Sequence, residues 1–376
     1  MASRPDTATD TATDTATPAP PPANVGVVDG CRSGRPSSSI RFDWLMLAVS
    51  AWPLAGALSD AYAHINEPGL ETFFTPWHAL LYSGLIVVGG CNALVLWRNH
   101  RQGYAWSRAI APGYELTLVG VCVLAVAGGL DLIWHTLFGI ERDVPAIVSP
   151  THILIVIGIL LIVAGPLRSA FSRPQGQDVR GWAQAPLILS ALLTYTMITI
   201  VLELTSPFSY RWASVGNVDL FANTPYPPVD SYLSQGFGLM SLMIQSALLM
   251  GLVLTLVRRW RLAPGALTLL IGVNALLISA LMTDFSLVPG MFVAGIVGDL
   301  LLFLLRPAPD RRLAFRLFAF LLPVVVYGAY FVNLDLVSGV VWIIHLLFGS
   351  IMVTGLIGLG ISYLVLPPTR ASEAHA

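Results

Sequence analysis

Asp60-Ala61-Tyr62-Ala63-His64 and Asp131-Leu132-Ile133-Trp134-His135 are two copies of one pattern, a carboxylate followed four residues later by an imidazole. A second histidine follows each copy, in Thr75-Pro76-Trp77-His78 and in Ser149-Pro150-Thr151-His152. The two histidines are separated by 13 residues in the first copy and by 16 in the second. One carboxylate with two imidazoles is a donor set for Cu(II), Zn(II) or a related first-row ion, and three protein ligands leave a position open for water or substrate. Without an ion, the same residues make a buried Asp–His pair that braces helix ends or relays protons. Both readings stand on the residues alone. Random placement of 15 Asp and seven His in 376 positions gives about 0.3 Asp-x3-His pairs, so two copies with the same sequel are not chance.

This chemistry requires particular elements. Asp and His four apart share one face of a helix. Thr75 and Ser149 suit an N-cap, and the following proline suits the first helical position, where no N–H is needed. His78 and His152 then fall in the first turn of a return helix. The positive end of that helix disfavours imidazolium and favours the neutral, metal-binding ring. Each copy is therefore a helical hairpin with its three donors at the connecting end.

Composition says where such hairpins sit. Of the 376 residues, 55% are hydrophobic and 11% are charged, less than half the roughly 25% of an average soluble domain. That excludes a water-soluble fold. A net charge of −1 argues against a nucleic-acid partner. Residues 1–41, with a Thr/Ala/Asp repeat and a proline run, read as a disordered cytoplasmic tail. From Phe42 onward ten apolar segments are long enough to span a bilayer. They run about 43–64, 76–97, 114–138, 150–170, 183–206, 231–257, 264–286, 289–305, 313–333 and 339–365, before a short tail at 367–376.

The expectation is an all-α, polytopic bundle over 42–366, built from five hairpins at about 43–97, 114–170, 183–257, 264–305 and 313–365. All 20 basic residues are arginine, and a cytoplasmic N-terminus puts all but Arg142 and Arg211 on the inner side. This is a strong positive-inside bias. It sets both termini in the cytoplasm and opens the hairpins outward, in a multi-pass protein of the cell membrane.

With that topology each outgoing helix carries one acid near its outer end: Asp60, Asp131, Glu203, Asp284 and Asp335. Ionisable groups at membrane depth are costly and mark function unless they are simply hydrated. The later hairpins read as degenerate copies of an internal repeat. Hairpin three has Glu203 but no histidine across its long outer loop; hairpin four keeps Asp284. Hairpin five has Asp335 and His345, ten residues apart. Asp299 lies in the inner half of helix eight, where Arg306 is the expected partner. Cys91 and Cys122 sit in apolar runs and read as small hydrophobes.

At Asp131, Trp134-His135, Arg142-Asp143 and Ser149-Pro150-Thr151-His152 the chain resembles one integral membrane component of the particulate methane and ammonia monooxygenases, the one that carries an Asp-x3-His-x12-His metal motif. The resemblance implies copper, or zinc, on Asp131, His135 and His152, and Asp60, His64 and His78 match the same motif more loosely. It covers about 25 residues of each hairpin, and here the motif occurs twice with longer loops.

The leading expectation is therefore an integral membrane metal-binding protein with two Asp/His/His sites on the outer side. They would serve oxidative chemistry with a membrane partner subunit, or copper storage and transfer. Two alternatives stay open. One is a transporter that uses the outer acids and histidines as an ion or proton relay. The other is a membrane-embedded metal hydrolase, with Glu67, Glu71, Glu141 or Asp143 as the base.

Overall fold

The computed structural model describes residues 27–28, 31–32, 34–67, 72–141, 143–174, 181–214 and 232–368. Most of the expected tails 1–41 and 367–376 lie outside these residues, as do Glu71, Arg142 and the loop 215–231. Among the described residues the chain is helical apart from one short antiparallel ladder, β1 (Val27–Val28) with β2 (Cys31–Arg32).

The first hairpin is α1 (Ile40–Asn66) and α2 (Pro76–Arg101). The Thr75 hydroxyl accepts the His78 amide at 3.2 Å, so the Thr-Pro signature starts α2 as expected. The second consists of α3 (Glu115–Phe138), a short α4 (Asp143–Val148) and α5 (Pro150–Val163). Ser149 stands at the start of α5 but makes no capping bond; its hydroxyl meets Thr151 Oγ1 at 3.2 Å instead. A break at Ala164, followed by Gly165-Pro166, bends α6 (Gly165–Ser172) by 43° from α5. Pro166 has no N–H with which to continue the ladder.

The remainder comprises α7 (Ala185–Val201), α8 (Tyr232–Arg259), a π-helical turn Thr268–Val273 leading into α9 (Asn274–Leu281), α10 (Val288–Leu305), α11 (Arg312–Ser338) and α12 (Ile344–Val365). Among the described residues eight helices are long and apolar enough to cross a membrane, and a ninth if α5 and α6 form one bent span. Exposed apolar side chains such as Ile86, Val126 and Phe303 suit contact with lipid.

The expected segment 264–286 is the short one, Thr268–Leu281. Turns at Gly265 (φ 88°) and Thr283 (φ 55°) cut it at both ends. Asp299 supplies its start. The carboxylate accepts the Leu267 and Thr268 amides, each at 3.0 Å, and the Thr268 hydroxyl at 2.6 Å. Asp299 is thus structural, but through the neighbouring helix start and not through Arg306.

Close helix contact brings the connecting ends together. A Cβ on Gly84 of α2 would lie 2.5 Å from the Pro53 nitrogen of α1, and one on Gly120 of α3 would lie 2.7 Å from the Gly158 carbonyl of α5. Small residues at these crossings let the backbones touch. At the other end of α1, Asp43 is 2% exposed. It ion-pairs with Arg173 and accepts from Tyr114 and Ser38 (2.7 Å each) and Ser169 (3.1 Å). This network ties the start of α1 to the start of α3 and the end of α6. α7 joins two cores: Leu187, Ala191 and Tyr195 pack with α8–α12, while Met197 and Ile200 pack with α1–α5.

Candidate metal centre

The donor residues come from four helix ends at one end of the bundle. Asp60 and His64 are on the last turns of α1, and Asp131 and His135 on those of α3. His78 and His152 stand in the first turns of α2 and α5. The structure brings all six into one cluster. Three overlapping sets have donor atoms within 4.8 Å of one another: Asp60, His64 and His78; His64, His135 and His152; and His78, Asp131 and His135. The division by hairpin seen in the sequence is therefore not a division in space. Asp60, His64 and His78 stay together, while the expected set Asp131, His135 and His152 is split between the other two groups, each completed by a histidine of the first hairpin.

Each imidazole is aimed by its backbone partner. His64 Nδ1 lies 2.9 Å from the Glu141 carbonyl, His78 Nδ1 2.6 Å from that of Phe73, His135 Nδ1 3.2 Å from Gly139, and His152 Nδ1 2.6 Å from Ala146. A carbonyl can only accept, so every Nδ1 donates, and a neutral ring held this way presents its Nε2 lone pair. All four Nε2 atoms face carboxylates. His78 Nε2 is 3.3 Å from Asp60 Oδ1, while His135 and His152 Nε2 are each 3.4 Å from Asp131 Oδ1. His64 Nε2 is 3.8 Å from Asp60 Oδ2.

These contacts are not hydrogen bonds. Nε2 of His78, His135 and His152 and Oδ1 of Asp131 are buried with no hydrogen-bond partner. Orphaned buried polar atoms are rare and call for an explanation. Ligand atoms about 2.0–2.1 Å from a tetrahedral ion stand about 3.3–3.4 Å apart, the edge of the tetrahedron. The observed 3.3 and 3.4 Å separations match that edge. The donor set thus fits a first-row ion in chemistry and in spacing.

Several residues around the donors carry no pattern in the sequence. Tyr82, one turn beyond His78, donates to Asp131 Oδ2 at 3.2 Å. Phe73 stacks on His78 with ring centroids 4.4 Å apart. Glu141, one of the four loop acids named as a candidate base, places Oε2 3.2 Å from His135 Nδ1 and accepts from Trp134 Nε1. The Glu141 carbonyl takes His64, while Oε2 stands beside the His135 ring and itself makes no hydrogen bond. Trp134 therefore acts through Glu141, while Trp77 packs edge-on to Tyr62 at 6.4 Å.

A cavity of about 170 Å³ adjoins the cluster, with Asp60, His64 and His152 in its wall. Ala57, Ile65, Ile155, Met197 and Met282 make the wall largely apolar, and Glu203 and Tyr210 add polar groups. Glu203, 7% exposed, is the only later-hairpin acid on this cavity among the described residues. Asp284 is elsewhere, paired with Arg211 and accepting from the Ser286 amide and hydroxyl. Asp335 is exposed and accepts the Val340 amide at 3.2 Å, and His345 is exposed.

No protein-family model, no curated protein and no solved structure matches this chain.

Proposed function

We propose that this is a multi-pass membrane protein whose outer helix ends hold first-row metal ions, copper ahead of zinc, for oxidative chemistry on a small, largely apolar molecule. One observation carries the reading. Four histidines, each with Nδ1 committed to a carbonyl, aim their Nε2 atoms at two carboxylates, three of them across tetrahedral-edge distances. The outer placement rests on the arginine asymmetry, and copper rests on the resemblance to the monooxygenases.

A bound ion would supply Lewis acidity or one-electron chemistry. The chain does the rest. Asp60 and Asp131 provide negative charge, and the backbone carbonyls hold the four rings in one tautomer. The largely apolar cavity beside His64 and His152 offers such a molecule a place next to the donors. Its 170 Å³ compares with the roughly 150 Å³ cavity that takes up benzene, so a molecule of about six carbons fits.

Glu203 on the cavity wall supports a second reading, metal-dependent hydrolysis with that carboxylate as general base. Glu141 does not serve that role, since it faces Nδ1 of His135, away from the open side. A relay transporter draws less support, because Asp284 is ion-paired and Asp335 lies apart.

Metal analysis of the purified protein beside an Asp131→Ala, His135→Ala, His152→Ala variant tests the reading. Stoichiometric copper or zinc that the variant loses is the expected result. A wild-type protein without either metal removes the proposal, and zinc without copper selects hydrolysis over oxidation.

A further inference from the structure

Building on the metal reading above, we infer that the six residues hold two ions as one coupled pair, with Asp131 as the bridging carboxylate. The two oxygens of Asp131 face different histidines. Oδ1 is 3.4 Å from Nε2 of both His135 and His152, and Oδ2 is 3.9 Å from Nε2 of His78. The Tyr82 hydroxyl, 3.2 Å from Oδ2, holds the carboxylate plane in this setting.

The remaining donors complete each half. Asp60, His64 and His78 form one ligand set, with Asp60 Oδ1 on the His78 side and Oδ2 on the His64 side. His135 and His152 form the other with His64, and Asp131 Oδ1 lies 3.4 Å from the Nε2 of both. A single ion cannot serve both. Placed among His64, His135 and His152, it leaves the buried Nε2 of His78 without a partner; placed among Asp60, His64 and His78, it leaves those of His135 and His152. Two independent ions are equally at odds with the geometry. Donors of the two hairpins lie within 4.8 Å of one another in the set His78, Asp131 and His135, and again in His64, His135 and His152. Two ions sharing such interleaved donors would be close neighbours, as in two-metal sites, whose ions stand about 3.5–4 Å apart. A carboxylate spanning that gap through both oxygens couples their unpaired electrons.

The test uses the full chain in detergent, stripped of metal, loaded with Cu(II) alone and kept oxidised. Copper per chain is measured by mass spectrometry and paramagnetic copper by integrated EPR. The expected result is two copper ions per chain, with the EPR-visible spin several-fold below the copper content. Asp131→Asn keeps the side-chain volume but cannot bridge as a carboxylate. It should restore the visible spin to equality with the copper retained. His152→Ala, which leaves the first-hairpin set intact, should hold one copper per chain with full spin, and this second variant guards against misfolding of the first. Two coppers per chain with full spin in the wild type would overturn the bridge, and so would a single copper per chain. Each of those results leaves metal binding itself standing; a wild type that takes up no copper overturns the bridge, and one that takes up neither copper nor zinc overturns both inferences.

Discussion

Glu141→Gln isolates the orienting carboxylate from the ligands it serves. Oε2 lies 3.2 Å from His135 Nδ1 without hydrogen-bonding it, on a side chain 16% exposed, so the contact is electrostatic and water screens it little. A carboxylate behind a metal-bound imidazole raises its basicity and fixes its ring, and losing such a partner costs about 10–100-fold in metal affinity. Here the Gly139 carbonyl remains 3.2 Å from the same Nδ1, and the Glu141 carbonyl still takes His64. No buried donor is orphaned, which places the loss at the lower end, about tenfold or 1.4 kcal/mol. Competition with a chromophoric chelator on the purified protein reads this directly, with exposed Glu67→Gln as control. A Cu(II) spectrum shifted in Glu141→Gln but unchanged in Glu67→Gln should accompany it. Affinity within twofold of wild type, with an unshifted spectrum, would show that Glu141 does not act through His135.

Two further perturbations follow from the packing. A Cβ at Gly128 would lie 2.5 Å from Cε1 of Tyr82, so Gly128→Ala should push the ring away from Asp131 and cost about 1–3 kcal/mol. Thermal melts and the metal spectrum should both move, whereas Gly129→Ala, with open space at that position, should change neither. Burial pushes the Asp284 carboxyl up, but the Ser286 hydroxyl and amide and the Arg211 guanidinium outweigh it and hold its pKa below the ordinary value. A depressed folded-state pKa stabilises above the unfolded value near 3.8 and loses that contribution as pH falls through the folded one. Protection of the 206–214 segment from proteolysis should therefore fade below about pH 4 in wild type. Asp284→Asn should remove that pH dependence, and an unchanged acid profile in the variant would assign it to other groups.

The donors are legible in the sequence because their signals are local. Asp-x3-His is a helix-face spacing, and Pro76 and Pro150 mark helix starts in any context. Their convergence is not legible. It depends on how closely α1 meets α2 and α3 meets α5, set by glycines such as Gly84 and Gly120 whose partners lie on other segments. The same holds for Asp299, whose acceptors are claimed by Leu267 and Thr268, about 30 positions earlier, and not by Arg306 one turn or two away. An apolar window reads through the turns at Gly265 and Thr283, which is why 264–286 has the hydropathy of a full span. Glu203 resembles a vestigial acid in the sequence because the cavity wall it stands on is shared with α1 and α5, far away along the chain.

X-ray absorption at the edge of the metal carried by the purified protein tests the central claim most directly. The account predicts a nitrogen and oxygen shell at about 2.0–2.1 Å with the outer-shell scattering of imidazole, and no sulfur. The imidazole scattering should weaken when His135 and His152 are changed to Ala. A sulfur shell, or a spectrum without imidazole scattering, would place the metal elsewhere and contradict the assignment of these six residues.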